Sequence, residues 1–289
     1  MNGSIVVSLD STFFSIVRHG AVAELVMDKP DKANAMSPDF WADLPRLIDG
    51  LQADETVRAA VITGAGKHFT SGMDLSTFGD LARLFDKEPG RAAYAMRDIV
   101  LKLQDSFTAI ERARFPVVAA IHGACIGGGI DLITACDIRL ASADAYFGIE
   151  EINIGMAADV GTLQRLPKII PFSIAAELAY SGRRFSADEA KQFGLVSSVH
   201  ADQPAVRKAG LALARQIAAR SPLAIAGIKR NLAYARDHSV ADGLDYVATW
   251  NGGMLRPHDL MTAIQAKMAK REAEFPDLFP TRLPGAKAG

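Results

Sequence analysis

Three carboxylates sit in stretches with little other charge: Asp131 within CIGGGIDLITACD, Glu151 after Tyr146-Phe147-Gly148-Ile149-Glu150, and Asp159 within INIGMAADVG. An apolar setting disfavours the ionised form and lifts a carboxyl pKa toward the range useful for proton transfer. General acid–base chemistry is therefore what such a set could perform. Each acid taken singly also has a structural explanation. Asp131, in the first turn after a glycine run, suits a helix dipole; Asp159 could cap the helical run Thr162 to Leu166; Glu151 could be a solvated charge. Other chemistries find little support. The six histidines show no HxH or HExxH spacing, His122 reads as a packed core residue, and no GxSxG elbow is present.

The glycines supply a second kind of candidate. Gly127-Gly128-Gly129 lies just ahead of a helical run, where free amides and the positive end of the helix dipole suit an anion. Ser71-Gly72-Met73-Asp74 follows a strand in the same way. Two such loops converging on one oxygen would form an oxyanion hole for an enolate or a tetrahedral intermediate. Both could equally be tight turns required by packing, and the residues alone leave the two readings open. A phosphate loop is excluded: Gly66-Lys67 is preceded by Val61 where GxxxxGK[ST] needs glycine, and His68 follows. No GxGxxG follows a strand.

The elements that must hold these residues can be read from pattern. Residues 13–28 form two β runs around His19-Gly20, a hairpin signal. Ser37-Pro38 caps and opens a helix reaching about Gln52, with Pro45 expected to kink it. Residues 58–63 and Pro116–Ile121 read as buried strands, Gly128–Ala135 as a helix and Asp137–Ala141 as a further strand. Residues 75–113 form a helix-prone insertion in which Met96, Ile99, Val100, Leu103, Phe107 and Ile110 keep helical spacing, so its second half should pack on the core. From about residue 173 the chain reads as almost wholly helical. Ser221-Pro222 opens a long helical tail that Asn251-Gly252-Gly253 should break. These signals imply an α/β core over residues 1–220 and a helical C-terminal part over 221–289.

Composition sets outer bounds. The 289 residues are 49% hydrophobic and 22% charged, ordinary for a packed globular protein and too apolar for a disordered one. A formal charge of −1 gives no global field toward nucleic acid or a membrane surface. The most apolar stretch, 115–135, is interrupted by His122, Asp131 and several glycines. Cys125 and Cys136 cannot make a disulfide framework and form no CxxC, which suits a reducing compartment. With no signal peptide, arginine-rich presequence or C-terminal SKL visible, a cytoplasmic protein is expected.

Two stretches, AAVITGAGKHFTSGMDL and PVVAAIHGACIGGGIDLITACDIRLASADAYFGIEEINIGMAADVGTLQRLP, resemble the paired signatures of the crotonase (enoyl-CoA hydratase/isomerase) superfamily. The likeness continues in weaker form from about Ser15 to the tail. It implies a spiral of ββα repeats, a helical C-terminal trimerisation region with homotrimers or homohexamers, and acyl-CoA thioester substrates. It also implies an oxyanion hole made by the amides of Met73 and Gly128. By the same resemblance, Lys32, Ala33, Asn34, Ala35 and Lys67 line the path of the CoA moiety, and Ser71, Gly72, Asp74, Leu75 and Gly129 contact substrate beside the amide pair. Phe78, Leu81, Leu84 and Phe85 would wall the acyl pocket, and Lys267 or Lys270 could reach CoA phosphates of a neighbouring subunit. No metal or redox cofactor is called for, since coenzyme A arrives with the substrate.

Within the superfamily, hydratases usually carry glycine where this chain has Asp159. The set Asp131, Glu151 and Asp159, with AADVGTLQRLP around the last and NLAYARDHSVADGLDYVATWN later, instead resembles the Δ3,5-Δ2,4-dienoyl-CoA isomerases. That implies Glu151 and Asp159 as proton carriers with Asp131 orienting or polarising one of them. A 2-enoyl-CoA hydratase, with water held by Asp131 and Glu151, is the alternative reading. A non-catalytic acyl-CoA-binding protein is a remoter one, disfavoured by the three retained acids.

Overall fold

The structure is a computed structural model that describes residues 9–74, 76–77 and 87–280. Its centre is a six-stranded sheet of β1 (Phe14–His19), β2 (Val22–Met27), β3 (Ala59–Gly64), β4 (Val117–Ile121), β6 (Ile138–Ser142) and β9 (Ser198–His200), in that spatial order. β1 and β2 form the expected hairpin, with Gly20 at a φ of 66° in the turn; every later pairing is parallel. β3 and β4 are buried along their whole length, as strands covered on both faces should be.

Alternate side chains of these strands feed two cores. Val61, Val118, Ala120 and Leu140 meet Val206, Leu211 and Ala214 of helix α7 (Gln203–Ala218). Gly210 lets that helix approach closely, because a Cβ there would lie 3.3 Å from the Ala120 methyl. On the opposite face, Leu25, Ile62, Ala119 and Ile121 join Phe40, Leu44, Leu47 and Ile48 of α1 (Pro38–Ala53) and Phe107 and Ile110 of α2 (Pro89–Arg112). The second half of the insertion thus packs through the predicted face, although Met96, Ile99 and Val100 are only half-buried.

A single helix spans Pro38 to Ala53 and continues through Pro45. Proline lacks the N–H that would bond the Trp41 carbonyl one turn back. The Ser106 hydroxyl of α2 donates to that carbonyl instead, at 3.2 Å.

A second sheet of three short strands, β5 (Ala124–Ile126), β7 (Tyr146–Gly148) and β8 (Phe185–Ser186), lies beside the first. Helix α3 (Gly128–Ala135) leaves β5 after one residue, a 3-10 turn (Glu151–Ile154) follows β7, and the short α4 (Thr162–Arg165) comes next. α5 (Phe172–Ser181) and α6 (Ala187–Phe193) complete this layer. The region after residue 173 is mostly helical, as expected, with the short β8 and β9 interrupting it by pairing with β7 and β6.

The tail comprises α8 (Pro222–Asp237), α9 (Val240–Met254) and α10 (Pro257–Met268). The expected break at Asn251-Gly252-Gly253 does not occur; α9 runs through it. A capping box of Ser239 and Asp242 secures its start, and Trp250 packs so tightly on Gly227 of α8 that a Cβ there would lie 2.6 Å from the indole nitrogen. Exposed helix glycines cost only about 1 kcal/mol each, which such anchoring offsets.

Candidate active site

Two loops meet at the mouth of α3. Residues 64–73 leave β3, and residues 126–128 turn from β5 into the helix. A parallel bridge between Thr70 and Cys125 joins them, with the Thr70 amide donating to Ala124 O at 2.9 Å. The third partner is the loop 29–36, bridged to the first through Met36 and Met73. Asn34, fully buried with a φ of 52°, fastens that loop. Its Oδ1 accepts from Lys29 N, and its Nδ2 donates to Ala65 O and His68 O at 2.9 and 2.8 Å. Its own carbonyl accepts from the Thr70 hydroxyl at 2.7 Å.

This scaffold brings the amides of Met73 and Gly128 together. A Cβ built on Gly72 would lie 3.4 Å from Gly128 N, and one built on Gly128 would lie 3.9 Å from Met73 N. Neither amide donates a hydrogen bond among the described residues. Gly128 is the first residue of its helix, where an amide has no intrahelical acceptor. Gly72 has a φ of 85°, and a side chain there would strike Ile126 O at 2.8 Å. Gly127, at a φ of 53°, turns the chain into α3. At Gly129 a Cβ would fall 2.7 Å from the Thr70 methyl. Gly72 is set by close backbone approach, Gly127 by its positive φ and Gly129 by the Thr70 side chain, and the arrangement leaves two free donors side by side.

Asp131 and Glu151 lie close to this point, and the charge of Asp159 acts on both. Asp131, on the first turn of α3, is fully buried. Its Oδ1 accepts from Thr162 N at 2.6 Å, while Oδ2 has no partner. Asp159 therefore does not cap α4: Gly161 occupies the cap position, and Asp131 supplies the acceptor from another helix. Burial pushes the Asp131 carboxyl up to about 6. Glu151 starts the 3-10 turn with its Oε1 3.6 Å from the position of a Gly127 Cβ. Its Oε2 is buried without a partner, so it is no solvated charge. Burial, reinforced by the nearby Asp131 charge, raises it to about 7. Burial also raises Asp159, whose backbone carbonyl accepts from Gln104 Nε2 of α2 at 2.7 Å.

Among the other expected residues, Lys32 and Lys67 are exposed on the rim, and Ala33, Ala35, Ser71 and Asp74 are half-buried beside the amide pair. Ser76 holds the Asp74 carboxyl below its ordinary range. His122 is buried, as expected of a core residue. Lys267 and Lys270 are exposed. Leu75, Phe78, Leu81, Leu84 and Phe85 lie outside the described residues. Sequence reasoning did not find Thr162, Arg165 or Gln104, whose contacts join segments far apart in the chain. Asn34 carried a signal in its tolerance of left-handed backbone.

The fold and this site define a class. The chain belongs to the enoyl-CoA hydratase/isomerase family, whose model matches residues 18–277. It is 48% identical over 255 residues to a mouse (Mus musculus) protein named Delta(3,5)-Delta(2,4)-dienoyl-CoA isomerase, mitochondrial, covering 88% of this chain and 78% of that one. A peroxisomal protein of the same name from Arabidopsis thaliana is 45% identical over 260 residues, covering 89% and 94%. A solved structure of a probable enoyl-CoA hydratase/isomerase from Mycobacterium abscessus superposes with a TM-score of 0.80 at 33% identity, covering 91% of this chain and 98% of that one. The expectation of a cytoplasmic protein is overturned by these relatives, which are named mitochondrial or peroxisomal.

Proposed function

We propose that this enzyme isomerises 3,5-dienoyl-CoA to 2,4-dienoyl-CoA, a reaction of fatty acid β-oxidation, by carboxylate-mediated proton transfer through a dienolate. The observation that carries this reading is a pair of free amides with Glu151 beside them and buried Asp131 on the same helix as Gly128, both carboxyls acted on by the charge of Asp159. One carboxylate removes a proton from C2, next to the thioester carbonyl. The electron pair delocalises through the diene onto the thioester oxygen, where the Met73 and Gly128 amides stabilise it. Losing one such donor typically costs about 3–4 kcal/mol. A proton returned at C6 leaves double bonds at C2 and C4. The two carbons lie too far apart for one short carboxylate, so Glu151 and Asp159 share the work and Asp131 orients or polarises one of them. The step is redox-neutral and calls for no metal or cofactor beyond the coenzyme A of the substrate.

Around this centre, Lys32, Ala33, Ala35 and Lys67 would line the CoA path, with Ser71, Gly72, Asp74, Leu75 and Gly129 contacting the thioester side. Residues 1–220 would form the crotonase spiral of ββα repeats and 221–289 the oligomerisation region. Exposed Leu232, Leu244, Val240 and Met268 on the tail helices support trimers or hexamers.

A 2-enoyl-CoA hydratase is the second reading, supported by the unpartnered oxygens of Asp131 and Glu151, which could hold a water. Growth of the conjugated 2,4-dienoyl thioester chromophore from 3,5-dienoyl-CoA, run beside hydration of 2-enoyl-CoA, separates them. Fast chromophore growth supports the isomerase; hydration alone would overturn it. Tight binding without either turnover would favour a binding protein.

A further inference from the structure

The segment 159–162 bears two parts of the candidate site: the carboxyl of Asp159 and the Thr162 amide on which Asp131 is held. Residues 159–161 have no regular structure of their own, yet the segment is clamped from one side. Gln104, Thr108 and Glu111 follow one another at helical spacing on α2 and present one face to it. Gln104 Nε2 donates to the Asp159 carbonyl at 2.7 Å. Arg165 does more. Its guanidinium donates to Glu111 Oε2 at 2.7 Å, to Thr108 Oγ1 at 3.3 Å and back to the Val160 carbonyl at 3.3 Å. It folds flat over Gly161, where a Cβ would lie 1.8 Å from Nη1. That residue has a φ of 136°, which L side chains rarely adopt, so Gly161 is doubly required. Arg165 is 11% exposed and Glu111 17%. Glu111 is braced from behind by Arg236 of α8 at 2.5 Å.

We infer that Arg165 is a positioning residue: strapped to α2, it fixes the backbone of 159–162 and so sets where Asp159 and Asp131 face the substrate. Only a planar fork with several donors can span Glu111, Thr108 and the Val160 carbonyl at once. The Arg165 charge acts to lower the Asp131 carboxyl against its burial, whereas the charges of Asp131 and Asp159 raise Glu151. The guanidinium itself faces Glu111, with Arg236, Lys168 and Asp237 beyond. This role rests on the proposed carboxylate chemistry.

The test compares Arg165→Met, Arg165→Lys and Glu111→Gln with the unmodified enzyme. It measures kcat and KM on 3,5-dienoyl-CoA and the titration midpoints of the site carboxyls by carbon NMR. Arg165→Met should lower kcat about tenfold or more, the scale of a reacting group displaced by part of an ångström, with little change in KM. The Asp131 midpoint should rise as the cation that lowers it is lost. Arg165→Lys should recover the midpoint but only part of kcat. If Arg165→Met does not fold, Glu111→Gln decides by the same pattern in kcat at constant KM. A kcat within twofold of the unmodified enzyme in the folded variant, a loss carried by KM, or unmoved midpoints would overturn the inference. If the unmodified enzyme leaves 3,5-dienoyl-CoA untouched, the proposed function fails, while the carboxyl midpoints still decide whether Arg165 positions Asp131.

Discussion

The carboxylate oxygen Oδ1 of Asp131 accepts the backbone amide of Thr162 at 2.6 Å, tying the first turn of α3 to the start of α4 across 31 residues of chain. Thr162 is fully buried, so its amide has no water to turn to. Asp131→Ala should destabilise the fold by about 1–3 kcal/mol, the cost of an orphaned buried donor. Asp131→Asn keeps a carbonyl oxygen at that position and should melt near the unmodified protein. Equal urea midpoints for the two variants would contradict this role.

Glu151 links activity to stability with opposite signs. Its carboxyl is raised from near 4.5 to about 7, so between these values the folded state binds a proton the unfolded chain has released. The stability tied to this group is therefore full at acid pH and lost as pH rises through about 7. Glu151→Gln removes that loss and should be more stable at pH 8 by on the order of 1–3 kcal/mol, a rise of a few degrees in Tm, while isomerisation collapses. Thermal melts across pH 4–8 check it, and a variant less stable at pH 8 would contradict it.

Turnover should follow the same groups. A proton-removing carboxylate works only when ionised, and burial raises both Glu151 and Asp159. kcat/KM should accordingly climb with pH on an acid limb well above the ordinary carboxyl range of about 4. A flat profile from pH 5 to 8 would exclude a raised carboxylate as the base.

Gly72 presents the Met73 amide, and a methyl there would strike the Ile126 carbonyl at 2.8 Å on a backbone with a φ of 85°. Gly72→Ala should lower kcat about 100-fold, the effect of losing one oxyanion donor. At Gly128 the obstacle is the end of the Met36 side chain, 2.9 Å away, which can give more readily than backbone. Gly128→Ala should thus be milder, and the reverse order would contradict the geometry.

What could be read from the chain followed local physics. The helix Gly128–Ala135, the strand Val117–Ile121 and the hairpin around Gly20 follow from glycine, β-branched runs and turn residues within a few positions. The acids stood out because their neighbours were apolar. The misjudged features depended on distant partners. α9 survives its glycines because Trp250 docks on Gly227. Asp159 looked like a cap, yet the cap came from Asp131, which no local pattern announces. Asn34 carried a local signal in its left-handed backbone, but its role as one buried side chain joining residues 29, 65 and 68 again depends on distant partners. Asn34→Ala should cost about 1–3 kcal/mol in urea melts and raise KM as the loop loosens; unchanged values would contradict its role as a fastener.

The two-carboxylate transfer is tested most directly by Glu151→Gln and Asp159→Asn on 3,5-dienoyl-CoA in deuterated water, following chromophore growth and deuterium entry at C2 together. Both variants should lose isomerisation by about 100-fold or more. The variant lacking the proton-removing group should also lose exchange at C2, whereas the other should keep that exchange without forming product. An Asp159→Asn enzyme that isomerises at the unmodified rate would show that one carboxylate suffices and contradict the mechanism.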